Sequence, residues 1–100
     1  MNLQQRQLLE RVADLGGVAT EDLLGTNKKA KPARYRAIFT YLAHKTLGLR
    51  LNELDRLLGR NNGAARYMVR RIAHSEVGEP ALWEEVRGLL REQNPKTQEG

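Results

Sequence analysis

The chain has 100 residues, room for one hydrophobic core and not two. Apolar residues make up 40% and charged residues 29%, and a net charge of +5 points to an anionic partner: nucleic acid, an acidic membrane surface or an acidic protein. The absence of cysteine excludes disulfides, a thiolate nucleophile and a cysteine-based zinc site, and no apolar run approaches the ~18 residues needed to span a membrane.

The pattern of apolar residues predicts an all-α, compact helical domain over residues 1–92. A first helix is expected over about 3–15, with Leu8, Val12 and Leu15 as its buried stripe, Leu9 beside it, and Gly16-Gly17 as its stop. Thr20 reads as the N-cap of a very short helix whose first turn carries Glu21 and Asp22 and which Gly25 closes. Residues 26–31 form a basic connector. Pro32 suits the first position of the next helix, over about 32–46, with Tyr35, Ile38, Phe39 and Leu42 buried. A short helix over about 51–58 carries Leu51, Leu54, Leu57 and Leu58 and ends at Gly59. Asn61 can cap a helix running to about 74, with Ala65, Met68, Val69 and Ile72 as its apolar stripe. Glu79-Pro80 breaks the chain. A last helix over about 80–92 follows on Leu82, Val86, Leu89 and Leu90, with Trp83 at the core edge, and residues 93–100 read as a disordered polar tail.

The charge is concentrated. Residues 28–71 carry twelve Lys and Arg against Glu53 and Asp55 alone, a net of +10, while residues 1–27 sum to −2 and residues 72–100 to −3. Two short helices around Gly59 follow the grammar of a helix-turn-helix at about 51–74. The second of them has no carboxylate from position 56 to position 75. A solvated helix mixes both signs, whereas one facing a polyanion does not. Opposite its core stripe it presents Asn62, Gly63, Arg66, Tyr67 and Arg70, with Arg71 flanking. Asn amides pair with adenine and Arg forks with guanine. The small Gly63 and Ala64 allow a close approach of a helix N-terminus that favours phosphate. Arg50, Arg60 and Lys45, near the ends of neighbouring helices, are placed as phosphate clamps, and Arg34 and Arg36 at the start of the third helix join the DNA-binding set.

From Leu9 to Gln93 the chain resembles the C-terminal DNA-binding domain of the bacterial replication initiator, DnaA, a Trp-repressor-like helix-turn-helix. The resemblance is carried by Leu9-Glu10-Arg11-Val12-Ala13, by Gly17-Val18-Ala19-Thr20-Glu21-Asp22-Leu23-Leu24-Gly25, and by Arg36-Ala37-Ile38-Phe39-Thr40-Tyr41-Leu42-Ala43. It continues through Leu51-Asn52-Glu53-Leu54 and Leu58-Gly59-Arg60, where one glycine of the family pattern is missing, and through Arg60 to Ile72, in step with the family signature. It implies that Lys28 enters the minor groove, with Lys29 and Lys31 in the same connector. It also implies that Leu51 and Asn52 touch backbone and base edges, and that Asn61, Asn62, Gly63 and Ala64 take the places of the family's Asp-His-Thr-Thr groove readers. All four differ from that pattern, so the initiator's own box is not the expected target. Leu47 to Arg60 is also similar to the DnaA-like tail of transposases of the IS200/REP-associated type, whose catalytic residues lie outside the matching region.

Other classes fit less well. His44, His74 and the lone Ser75 form no catalytic constellation, Glu53 and Asp55 are too few for a metal site, and no phosphate-binding loop is present. No catalytic residue, metal, cofactor, membrane or small-molecule substrate is expected. The opening residues hold no apolar stretch of the signal-peptide kind, so a cytoplasmic, nucleoid-associated protein is expected. His74 reads as a cap near a helix C-terminus, and Ser75 as a helix-end residue. A winged helix would need a β-hairpin after residue 74, where Ser75 to Pro80 offers none. The rival from another class is a protein-interaction module derived from a DNA-binding fold.

Overall fold

The computed structural model describes residues 1–25, 28–60 and 63–93. Among them there are six helices and no strand: α1 (Leu3–Gly16), α2 (Thr20–Leu24), α3 (Ala30–Thr46), α4 (Leu51–Leu57), α5 (Ala64–Gly78) and α6 (Pro80–Gln93). The tail expected over 93–100 begins with Gln93 closing α6, and residues 94–100 lie outside the described residues.

The core is built around α3. Every residue from Tyr35 to Ala43 is buried, and α1, α2, α4, α5 and α6 all pack on this one helix. A helix apolar on all sides is the signature of a central element, and here Ala37, Ile38, Phe39, Leu42 and Ala43 supply that surface. The two polar residues in the run are satisfied internally. The Thr40 hydroxyl donates to the Arg36 carbonyl at 2.8 Å, and Arg36 donates to carbonyls of α2. Around α3 the stripes of the outer helices converge: Leu8, Leu9, Val12 and Ala13 from α1, Leu54 from α4, Ala65 and Ile72 from α5, and Leu82, Val86 and Leu89 from α6. Trp83 is half-buried and meets Tyr41 edge to face, with ring centroids 6.1 Å apart.

Four local expectations are corrected. Leu15 is exposed, and the buried stripe of α1 continues instead through Ala13 and Gly16. The cause is close packing. The Tyr35 ring lies on Gly16, where an added Cβ would stand 2.5 Å from the ring. Gly16→Ala should therefore destabilise the fold by about 1–2 kcal/mol, the cost of overpacking a filled contact, measurable as a lower urea midpoint. Ala19, not Thr20, is the N-cap of α2, because the Asp22 N–H already bonds the Ala19 carbonyl at 3.0 Å. Pro32 is the third helical residue of α3, still within the first turn, where a missing N–H costs no helical bond. Finally α5 begins later and runs further than 61–74, so Ser75 is a buried interior residue and exposed His74 stands a turn before the helix end.

One polar cluster ties α3 to α6. The Glu85 carboxylate accepts from Arg34 Nη2 at 2.6 Å and Nε at 3.1 Å, and from the Tyr35 hydroxyl at 2.5 Å. Burial, then the Glu85 hydrogen bond, raise the Tyr35 phenol above its ordinary pKa. The neutral phenol is thus favoured in the folded state. Its contribution is complete below pH ~10, the unfolded value, and is lost as pH rises through the higher folded one. Tyr35→Phe should cost about 1 kcal/mol at pH 7. That difference should shrink above pH ~10 in urea titrations of the two proteins.

Candidate nucleic-acid interface

The pair α4–α5 is set by two glycines and one aspartate. Gly59, in the left-handed conformation at φ 62°, ends α4. The Gly59 N–H bonds the Arg56 carbonyl at 3.1 Å, and the Arg60 N–H bonds the Asp55 carbonyl at 2.8 Å. This is the Schellman pattern, which needs a residue without a Cβ at that place. The N-cap of α5 is Gly63, at φ 92°, and it offers no side chain to the first-turn amides. Asp55 of α4 does so instead. Its Oδ1 accepts from the Ala65 N–H at 2.7 Å and its Oδ2 from the Gly63 N–H at 3.3 Å. Asp55 is 8% exposed, so this carboxylate is buried at the joint between the helices and fixes the start of α5 relative to α4.

A second joint holds α2 against both α3 and the turn before α5. Arg36 Nε donates to the Leu23 carbonyl and its Nη2 to the Asp22 carbonyl, both at 2.7 Å. Arg60 Nη2 donates to the Gly25 carbonyl at 3.0 Å. Two cations therefore occupy the C-terminal end of α2, where unsatisfied carbonyls favour positive charge.

The residues expected to form the interface divide into three groups. The first is exposed: Arg66, Tyr67 and Arg70 on α5, Gly63 at its start, Asn52 and Arg50 at the start of α4, and Lys28 and Lys29 in the connector. Tyr67 is 70% exposed. Leu51 and Ala64 are half-buried beside them. Among the described residues, no ion pair involves Arg50, Arg56, Arg66 or Arg70. Arg56, exposed on α4, lines an open groove with Arg50, Asn52 and Glu53, and no sequence signal singles it out.

The second group is committed elsewhere. Arg36 is 4% exposed and its guanidinium is spent on α2 carbonyls, so it does not reach a backbone phosphate on the surface. Arg34 is paired with Glu85 on α6. Lys31 is exposed, but its Nζ stands 3.7 Å from where a Cβ on Gly17 would be, beside the C-terminus of α1 and its favourable dipole. Arg60 is half-buried and holds α2. The third group, Asn61 and Asn62, lies outside the described residues.

Asp55, one of two carboxylates too few for a metal site, acts as a cap across the turn, a role with no local signature in the sequence. Among the described residues no cluster of three or more His, Asp or Glu is placed to hold a metal, and no helix is long and apolar enough to cross a membrane. Comparison with models of protein families and with curated proteins finds no match for this chain.

Proposed function

We propose that this chain binds double-stranded DNA through α4 and α5 acting as a helix-turn-helix of the Trp-repressor-like kind, with α5 in the major groove. The observation that carries the reading is the outer face of α5. Arg66, Tyr67 and Arg70 stand exposed there, and no carboxylate occurs between Asp55 and Glu76 to neutralise them. An α-helix fits the width of the major groove, and arginines on its outer face can donate to phosphates or to guanine edges. Asn52 and Arg50 at the start of α4, and Lys28 and Lys29 in the connector, are also exposed and on this reading supply backbone contacts. The resemblance to the DnaA C-terminal domain and to the DnaA-like transposase tail supports the same assignment. A relative of those modules is the identity we propose for the chain, acting in the bacterial nucleoid without catalysis of its own.

The altered readers set the expectation for specificity. Gly63 and Ala64 offer no hydrogen-bonding side chain at the start of α5, so base discrimination falls to Arg66, Arg70 and the asparagines before them. The proposal is tested by fluorescence anisotropy on a labelled duplex across salt concentrations. With several phosphate contacts, affinity should fall by orders of magnitude between about 50 and 200 mM salt. Absence of binding at low salt would sink the reading.

A further inference from the structure

The N-cap Gly63 and the exposed residues Tyr67, Arg70 and His74 of α5 follow i, i+4, i+7 and i+11, and so share one stripe of the helix surface. It lies opposite the inward stripe of Ala65, Met68 and Ile72. A helix seated in a groove enters it along such an outermost line. Tyr67 is the unusual member, a large ring left 70% exposed. The other large apolar side chain exposed on α5, Val77, stands near the far C-terminal end. Helical side chains lean toward the N-terminus, so the Tyr67 ring leans over the turn that holds Gly63 and Ala64. Ala64 and Tyr67 border one concavity together. Over Gly63 the space is open, since a Cβ added there would meet nothing within 4 Å.

Neither Gly63 nor Ala64 carries a hydrogen-bonding side chain, so the ring is the bulky group that a surface approaching this end of the stripe meets. Arg66 and Arg70 stand on either side of it in sequence, and no carboxylate occurs between Asp55 and Glu76. The matching surface is therefore anionic overall, with an apolar spot inside it. The major groove has that character. Its base edges are hydrogen-bond donors and acceptors with one apolar exception, the C5 methyl of thymine. A rise of 1.5 Å per residue sets positions 67 and 70 about 4.5 Å apart along the helix, on the order of one base-pair step. A methyl under the ring and a guanine under the Arg70 fork thus fall on neighbouring pairs.

We propose that Tyr67 is a specificity-determining residue that reads a thymine methyl with the face of its ring, so that the preferred duplex carries a thymine next to or near a guanine. This inference rests on the DNA-binding reading. Selection of bound sequences from a random duplex pool should fix one thymine. Deoxyuridine at that position keeps the base pair and removes only the methyl, and it should weaken binding about fourfold, the worth of one methyl group taken out of water. Deoxyuridine at another thymine of the same duplex should change nothing. Tyr67→Ala should bind the thymine duplex at least fourfold more weakly and no longer distinguish it from the deoxyuridine duplex, the non-additivity expected of two groups in contact. Tyr67→Phe keeps the ring and should keep the discrimination. Both variants alter a side chain exposed to solvent and should retain the helical circular dichroism. Selected sites without a fixed thymine, equal affinity for the two duplexes, or discrimination that survives in Tyr67→Ala would overturn this inference while salt-dependent binding left the DNA-binding reading standing. Loss of discrimination in Tyr67→Phe would overturn it in favour of a hydroxyl contact to phosphate. No saturable binding to any duplex at low salt would overturn both.

Discussion

Asp55→Ala should lower the stability of the fold by about 3 kcal/mol, the combined loss of two bonds from backbone amides to a buried carboxylate. For a domain of this size that is a fall in Tm of roughly 12–24 °C. The physical reason is local. The Gly63 and Ala65 amides, bonded to Asp55 at 3.3 and 2.7 Å, would lose that acceptor at the first turn of α5, and the glycine at the N-cap has no side chain to replace it. Asp55→Asn keeps a side-chain carbonyl oxygen and should cost only about 1 kcal/mol, since one neutral acceptor survives. Thermal unfolding of the three proteins followed by circular dichroism checks the order. If alanine and asparagine were equally harmful, packing rather than capping would be the role of this residue.

Arg66→Gln with Arg70→Gln should leave stability nearly unchanged, because both side chains are exposed and neither is ion-paired among the described residues. Duplex affinity should fall by about 2–4 kcal/mol, roughly thirtyfold to a thousandfold, if each arginine makes one groove or phosphate contact. The slope of log affinity against log salt should become shallower by about one unit for each phosphate contact removed. Glutamine keeps a hydrogen-bonding amide while removing the charge. Arg34→Gln offers the contrasting case. That side chain is held by Glu85 on the α3–α6 side, and its loss should reduce stability modestly while leaving the salt slope alone.

The asymmetry between Arg34 and Arg66 shows what the sequence could and could not disclose. The helices were legible wherever an apolar stripe met a stop signal: Ala65, Met68, Val69 and Ile72 placed α5, and Pro80 opened α6. The excess of arginine in the middle of the chain was legible too, but the fate of each arginine was not. Arg34 finds its partner 51 residues away, and Arg36 turns inward because the end of α2 happens to present carbonyls there. Such pairings depend on how α2 and α6 dock on α3, which no local pattern encodes. Asp55 is the same case at shorter range. A carboxylate ten residues before the amide it caps looks like an ordinary surface acid until the turn at Gly59 folds it back. Leu15 failed for a reason of packing: the Tyr35 ring occupies the space against Gly16, and the leucine beside it faces solvent.

On the proposed function, α5 meets DNA with the face bearing Arg66, Tyr67 and Arg70. The most direct test is the titration of isotopically labelled protein with a short duplex at low salt, followed through backbone amide shifts. The largest shifts should fall from Gly63 to Arg70, with a second group at Arg50 to Asn52 and at Lys28 and Lys29, and they should fade as salt is raised. Shifts concentrated on α1 and α6, or no saturable change at low salt, would contradict the account.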